Sequence, residues 1–171
     1  EFNALSARTT GNITATISTT AATTLDDISE TGHSLTITVA TASVTTAQLT
    51  AINNATTLDV TATAVTKITG SLSEANTIYS SGFTGLGNEA VILSDTSVAA
   101  ADLNTLDGNT TGAVNAGTVT TLTGTTTAAN TAYASSGISG LANEAVTISD
   151  TSLAVAALNT LDGNTTGTVN A

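Results

Sequence analysis

Short runs of alternating apolar and polar residues return along this chain at a regular interval, and each leads into an alanine-rich stretch with helical spacing. Leu35, Ile37 and Val39 form one such run, Val91 and Leu93 a second, Val146 and Ile148 a third. Alternation with a period of two predicts short strands with one buried face. In the stretch after the second run, Val98, Ala99, Leu103 and Leu106 fall within about 140° of one another at helical spacing, which predicts one buried stripe, with Asn104 and Thr105 facing away. Residues 95–97 offer helix N-cap side chains. Asp107 and Gly108 predict the helix stop, with glycine in the left-handed conformation; Asn53 and Asn54 stand there in the first copy.

The pattern is an internal repeat. When Leu86 is laid on Leu141 and the two segments are followed to their ends, 24 of 31 positions are identical. Two unlike halves, each roughly 27 residues long, alternate within a full period of roughly 54 to 55, a size that signals a solenoid or an array. Half A comprises residues 34–62, 91–116 and 146–171; half B comprises 65–90 and 119–145. In half B, Ser71 and Glu74 have capping-box spacing, Leu72, Ala75 and Tyr79 share a helical face, and Gly82, Gly85 and Gly87 predict tight turns. The expected fold is therefore α/β: residues 1–171 as a single solenoid of about six strand–helix coils of ~27 residues, with strands about 4.8 Å apart in one long parallel sheet. The alternative is a pure β-solenoid in which the alanine-rich stretches are turns or strands, since threonine is a poor helix former. Residues 1–13 align with 102–114, so the chain opens part-way through a repeat, which predicts a segment of a longer array.

Composition narrows the interior and the partners. With two Phe, two Tyr, no Trp and no Met, the core must be built from Val, Ile, Leu and Ala, which suits a thin, regular stack. The net charge of −11 is set against only Lys67 and Arg8, so a row of phosphates cannot be neutralised, and nucleic acid and anionic lipid are poor partners. No apolar run reaches the ~18 residues of a membrane span. The absence of cysteine excludes a thiolate metal or redox site.

Little in the sequence points to catalysis. The single histidine, His33, lies between Gly32 and Ser34 and is expected as a solvent-facing loop residue. Asp95, with Thr96, and Asp107, Asp150 and Asp162 could form a ladder of oxygen ligands for calcium, although the same positions are explained by helix capping and helix stops, and no EF-hand spacing occurs. No other cofactor is implied. Asn12, Asn54, Asn109 and Asn164 each open an Asn-x-Thr sequon and line up in half A, predicting one solvent-facing edge that could carry glycans. The runs at 36–41 and 118–123 could form flat threonine ladders of the kind that bind ice, or an exposed sheet face rich in a good β-former.

The segments at 101–116 and 156–171, with LNxLDG at 103–108 and 158–163, resemble repeats of very large cell-surface or secreted proteins of marine cyanobacteria and related bacteria. They are also similar to repeats in marine phage tail fibres. The resemblance implies an extracellular or cell-surface stalk, matrix or fibre component and carries over no catalytic residues. The function expected is thus structural and not enzymatic: coils that stack head to tail, the chain's partner being itself. The alternative is an adhesin or phage-fibre module that recognises surface carbohydrate or ice through a Thr/Asn-rich face.

Overall fold

A computed structural model of the chain describes residues 2–18 and 20–171. Helices and strands follow in the order α1 (Phe2–Ser6), β1 (Thr14–Thr16), α2 (Ala22–Leu25), β2 (Ser34–Thr36), β3 (Ser43–Thr45), α3 (Thr46–Asn54), β4 (Val60–Thr61), β5 (Lys67–Gly70), α4 (Leu72–Tyr79), β6 (Phe83–Thr84) and β7 (Ala90–Leu93). They continue with β8 (Ser97–Ala99), α5 (Ala100–Asn109), β9 (Val114–Asn115), β10 (Thr121–Gly124), α6 (Thr126–Ala134), β11 (Ile138–Ser139), β12 (Ala145–Ile148), α7 (Val155–Asn164) and β13 (Val169–Asn170). The fold is α/β, and every strand pair among the described residues is parallel.

Strand register measures how often the chain comes back alongside itself. Ser43 pairs with Lys67, Lys67 with Ala90, Val91 with Val114 and Val114 with Ile138, so successive circuits advance the sequence number by 24, 23, 23 and 24. Helices α3 to α7 start at Thr46, Leu72, Ala100, Thr126 and Val155, which are steps of 26, 28, 26 and 29. The expected coil length is therefore the helix spacing, whereas the strands close a shorter circuit. In place of one long sheet, the described residues form four: β3-β5-β7-β9-β11, β8-β10-β12-β13, β1-β2 and β4-β6.

The helices form in the alanine-rich stretches, which excludes the pure β alternative. Each of α3 to α6 buries three residues spaced by three: Thr46, Leu49 and Ile52; Leu72, Ala75 and Ile78; Ala100, Leu103 and Leu106; Thr126, Ala129 and Ala132. Helices this short are marginal alone and are held by packing against the strands and against the next helix. Threonine is tolerated because its hydroxyl bonds within the helix: Thr77, Thr105, Thr131 and Thr160 each donate to the carbonyl four residues back at 2.9 Å. Thr45, Ser71 and Thr125 cap α3, α4 and α6 through their hydroxyls.

Several local expectations change. Ala100, not Ala99, completes the stripe of α5. Ile78 takes the buried position expected of Tyr79, which is only half-buried. Gly108 lies inside α5 without a positive φ, and the helix runs on to Asn109. Gly85 and Gly87 do adopt left-handed backbone, as the tight turns require. Asn104 does not face away: its amide donates to the Ala128 carbonyl of the next helix at 2.9 Å. One apolar cluster runs through the molecule, from Ala22 and Leu25 to Ile148 and Leu161.

Candidate functional site

His33 is buried, contrary to the loop position expected for it. It sits under the first helix, edge-on to Phe2 with ring centroids 5.5 Å apart. The Ile13 N–H donates to Nδ1 at 3.1 Å, so in the neutral ring the proton is on Nε2, which donates to Ser6 Oγ at 2.6 Å. A nucleophilic serine requires the opposite polarity, with an imidazole that accepts the hydroxyl proton and is oriented by a carboxylate on its other nitrogen. The pair is therefore a structural tie between the first two circuits. A groove of about 430 Å³ beside Phe2 is lined by Asn3, Ile17, Ser18, Thr24, Asp27 and Ile28 among others.

The aspartates are not gathered into a ladder. Asp95 Oδ2 accepts from the Leu72 N–H at 2.7 Å, and Asp150 Oδ2 accepts from the Thr126 N–H at 2.6 Å and its hydroxyl at 2.8 Å. Each therefore caps the helix one circuit back, α4 or α6. Their own helices, α5 and α7, have Ala99 and Ala154 at the N-cap and so no side-chain cap. The bonds from Thr126 hold the Asp150 carboxyl below its usual range. Asp107 lies within α5 and accepts from Ser135 Oγ at 2.7 Å, so it ties two helices together and ends neither. Asp162 is exposed at the equivalent place on α7. No cluster of three or more His, Cys, Asp or Glu is placed to hold a metal ion among the described residues.

Asn12, Asn54, Asn109 and Asn164 are all exposed. The last three close α3, α5 and α7, one on every second helix, whereas Asn12 lies between α1 and β1. The amides of Asn109 and Asn164 reach back to Asn76 and Asn130 of the preceding helix at 3.4 and 3.2 Å. Among the described residues the threonine runs build one rank of three, Thr38, Thr61 and Thr84, paired in register, and two further threonine pairs, Thr16 with Thr36 and Thr123 with Thr147. Elsewhere the ranks are mixed, as in Ser97, Thr121 and Ala145. No described helix is long and apolar enough to cross a membrane.

The sequence reading missed two fully buried acids, Glu89 and Glu144. Tyr79 donates to Glu89 Oε2 at 2.9 Å, and the Gly87 N–H meets both carboxylate oxygens at 3.1 and 2.8 Å. Tyr133 donates to Glu144 at 3.0 Å, and the Ala142 N–H meets that carboxylate at 3.1 and 3.0 Å. The hydroxyls of Thr110 and Thr165 close each unit by bonding the glutamate carbonyls at 2.7 and 2.8 Å. A signal was present: the only two tyrosines each stand ten or eleven residues before a glutamate in an Asn-Glu-Ala triplet. These units fasten the half-B helix to the loop that feeds the next strand.

Comparison with protein-family models, curated proteins and solved structures found no match.

Proposed function

We propose that this chain is a structural extracellular or cell-surface repeat protein, a solenoid whose coils stack end to end to form or extend a fibre, stalk or matrix. The observation that carries the reading is the parallel register, which is kept from Ser43 to Ile138 at a step of 23 or 24 over a single apolar core. The chemistry-bearing groups support it, because Ser6, His33, Asp95, Asp107, Asp150, Glu89 and Glu144 all spend their bonds on joining neighbouring segments.

A second reading is an adhesin-type module that recognises carbohydrate or ice. The Thr38, Thr61 and Thr84 rank and the exposed asparagines at alternate helix ends favour it. Glycan-array binding lost in a Thr61→Val variant would support this reading over the scaffold.

Electron microscopy of the purified chain at neutral pH, with and without a calcium chelator, tests the first reading. Separate rods about 34 Å long, some seven circuits at roughly 4.8 Å each, are expected under both conditions. Round particles with no long axis would overturn it, and loss of the rods on chelation would return calcium to the aspartates.

A further inference from the structure

The two halves of the repeat present different faces to one another, and the last helix carries a half-A face that is open. In β8 and α5, Val98, Ala100 and Leu103 are at most 5% exposed, because β10 and α6 of the next circuit lie against them. Their counterparts one full period on, Leu153, Val155 and Leu158, are partly exposed, Val155 by 72%. The polar fringe follows the same division. Asn104 and Asp107 bond to Ala128 and Ser135 of the covering circuit, while Asn159 and Asp162 stand exposed.

What covers such a face is written twice in the chain. Over α3 lie β5 and α4, over α5 lie β10 and α6, and both covers are half B. Each covering strand ends in glycine. A Cβ built on Gly70 would overlap Thr46 Oγ1, and one built on Gly124 would stand 3.7 Å from the Ala100 Cβ. Val155 occupies the position of Thr46 and Ala100 and matches threonine in shape, so its cover also needs glycine there. Half-A strands place Leu93 and Ile148 in that register and would collide with it. A second glycine, Gly137, leaves room for the Asp107 carboxylate, as Gly82 does for Asn53.

We propose that the exposed face of α7 is a docking surface for a strand–helix segment of half-B type, and that it rejects a half-A segment. The proposal rests on the stacking reading above. A second copy of the chain is a poor source, because its half-B helices α4 and α6 are each already held between two half-A helices.

Two extended chains test it, one with a copy of residues 117–145 added after Ala171, the other with a copy of residues 91–116. Hydrogen exchange of the α7 amides and the scattering-derived length are compared with the unextended protein. The half-B extension should lengthen the particle and slow exchange over 155–161 by about tenfold or more, and Gly124→Val made in the appended copy alone should abolish that protection. The half-A extension should leave exchange unchanged. Equal protection and equal lengthening by both extensions would overturn the selectivity while leaving stacking intact, whereas no lengthening by either would overturn the stacking reading itself. Concentration-dependent protection of α7 in the unextended chain would show that a second copy covers the face, and would overturn the exclusion of that source.

Discussion

Tyr79→Phe should destabilise the protein well beyond the loss of one surface hydroxyl. Glu89 is fully buried, and apart from the tyrosine its carboxylate accepts only from the Gly87 N–H. Removing the phenol therefore breaks a hydrogen bond to a carboxylate and leaves that group short of a partner where water cannot replace it. Bonds to charged groups contribute about 1.5–3 kcal/mol. For a chain of this size each kilocalorie moves the melting temperature by roughly 2–4 °C, so a fall of about 3–12 °C is expected. Tyr133→Phe repeats the experiment at Glu144, and the two losses should add because the units share no side chain. Urea unfolding of Y79F, E89Q and the double variant gives the coupling energy directly. A coupling below about 0.5 kcal/mol would refute the reasoning, because it would mean the carboxylate is satisfied without the phenol.

The same units predict an alkaline limb. Burial, reinforced by the negative charge and hydrogen bond of Glu89, raises the Tyr79 phenol well above its usual range. Burial, with the Glu144 bond added and the Thr165 hydroxyl opposing, raises Tyr133 to about 12. Unfolded tyrosines titrate near pH ~10, so above that pH the unfolded state releases its protons first. The stabilisation is complete below pH ~10 and is lost as pH rises through the folded values, at no more than about 1.4 kcal/mol per pH unit for each tyrosine. With no tryptophan in the chain, tyrosinate absorbance follows both groups cleanly. Y79F/Y133F should remove the tyrosine part of the slope.

Three further perturbations test the packing. Gly108→Ala should stabilise by up to about 1 kcal/mol because Gly108 is helical with nothing within 4 Å of a new Cβ, whereas Gly70→Ala should destabilise by about 1–3 kcal/mol through its overlap with Thr46; thermal melts of the two should move in opposite directions. Leu103→Ala removes a fully buried side chain and should cost about 2–5 kcal/mol in urea unfolding, and Leu158→Ala, at the partly exposed equivalent, less than half of that. Asp150→Asn should lower the urea midpoint at neutral pH and flatten its fall in acid, since a carboxyl held below its unfolded value contributes stability above pH ~4 and loses it as pH drops; the limb that remains belongs in part to Glu74, lowered by the hydroxyls of Thr46 and Ser71.

The features legible in the sequence were those set by near neighbours. Alternating strands, alanine-rich helices, the two halves and their period all come from contacts between residues close in the chain or from the repetition itself. What could not be read depends on the residue one circuit away. Asp95 and Asp150 sit where an N-cap for the following helix would, but the open N–H groups they meet belong to the preceding helix, 23 and 24 residues back. His33 looks like a turn residue between Gly32 and Ser34, but its ring packs on Phe2 and bonds to Ser6 and Ile13, 27 and 20 residues back in the chain. Asp107 and Gly108 look like a helix stop, yet Asn109 extends the helix and reaches Asn76 of the previous one.

The circuit length was hidden for a geometric reason. Neighbouring strands lie about 4.8 Å apart, but side-by-side helices need roughly 8–10 Å. A chain that repeated strands and helices at one common interval would have to crowd its helices or splay its strands. Here helix starts advance against the strand register by two from α3 to α4 (26 against 24), five from α4 to α5 (28 against 23), two from α5 to α6 (26 against 24) and five from α6 to α7 (29 against 24). The helices are thereby staggered around the fold. Half of the sequence period is a helix-to-helix distance, while two strand circuits fall short of that period, and the difference moves the helix forward. A fixed sheet must then meet a helix. Residue 162, one circuit beyond β11, lies in α7, and residues 107 and 108, one circuit beyond β6, lie in α5, so each of those sheets ends there. New sheets start at β3 and β8, the strands that lead directly into α3 and α5. The alternation of two unlike halves follows from the same demand. Half A inserts the extra residues that advance its helix, and half B, with glycine at the end of its strand, closes over the helix that has been moved.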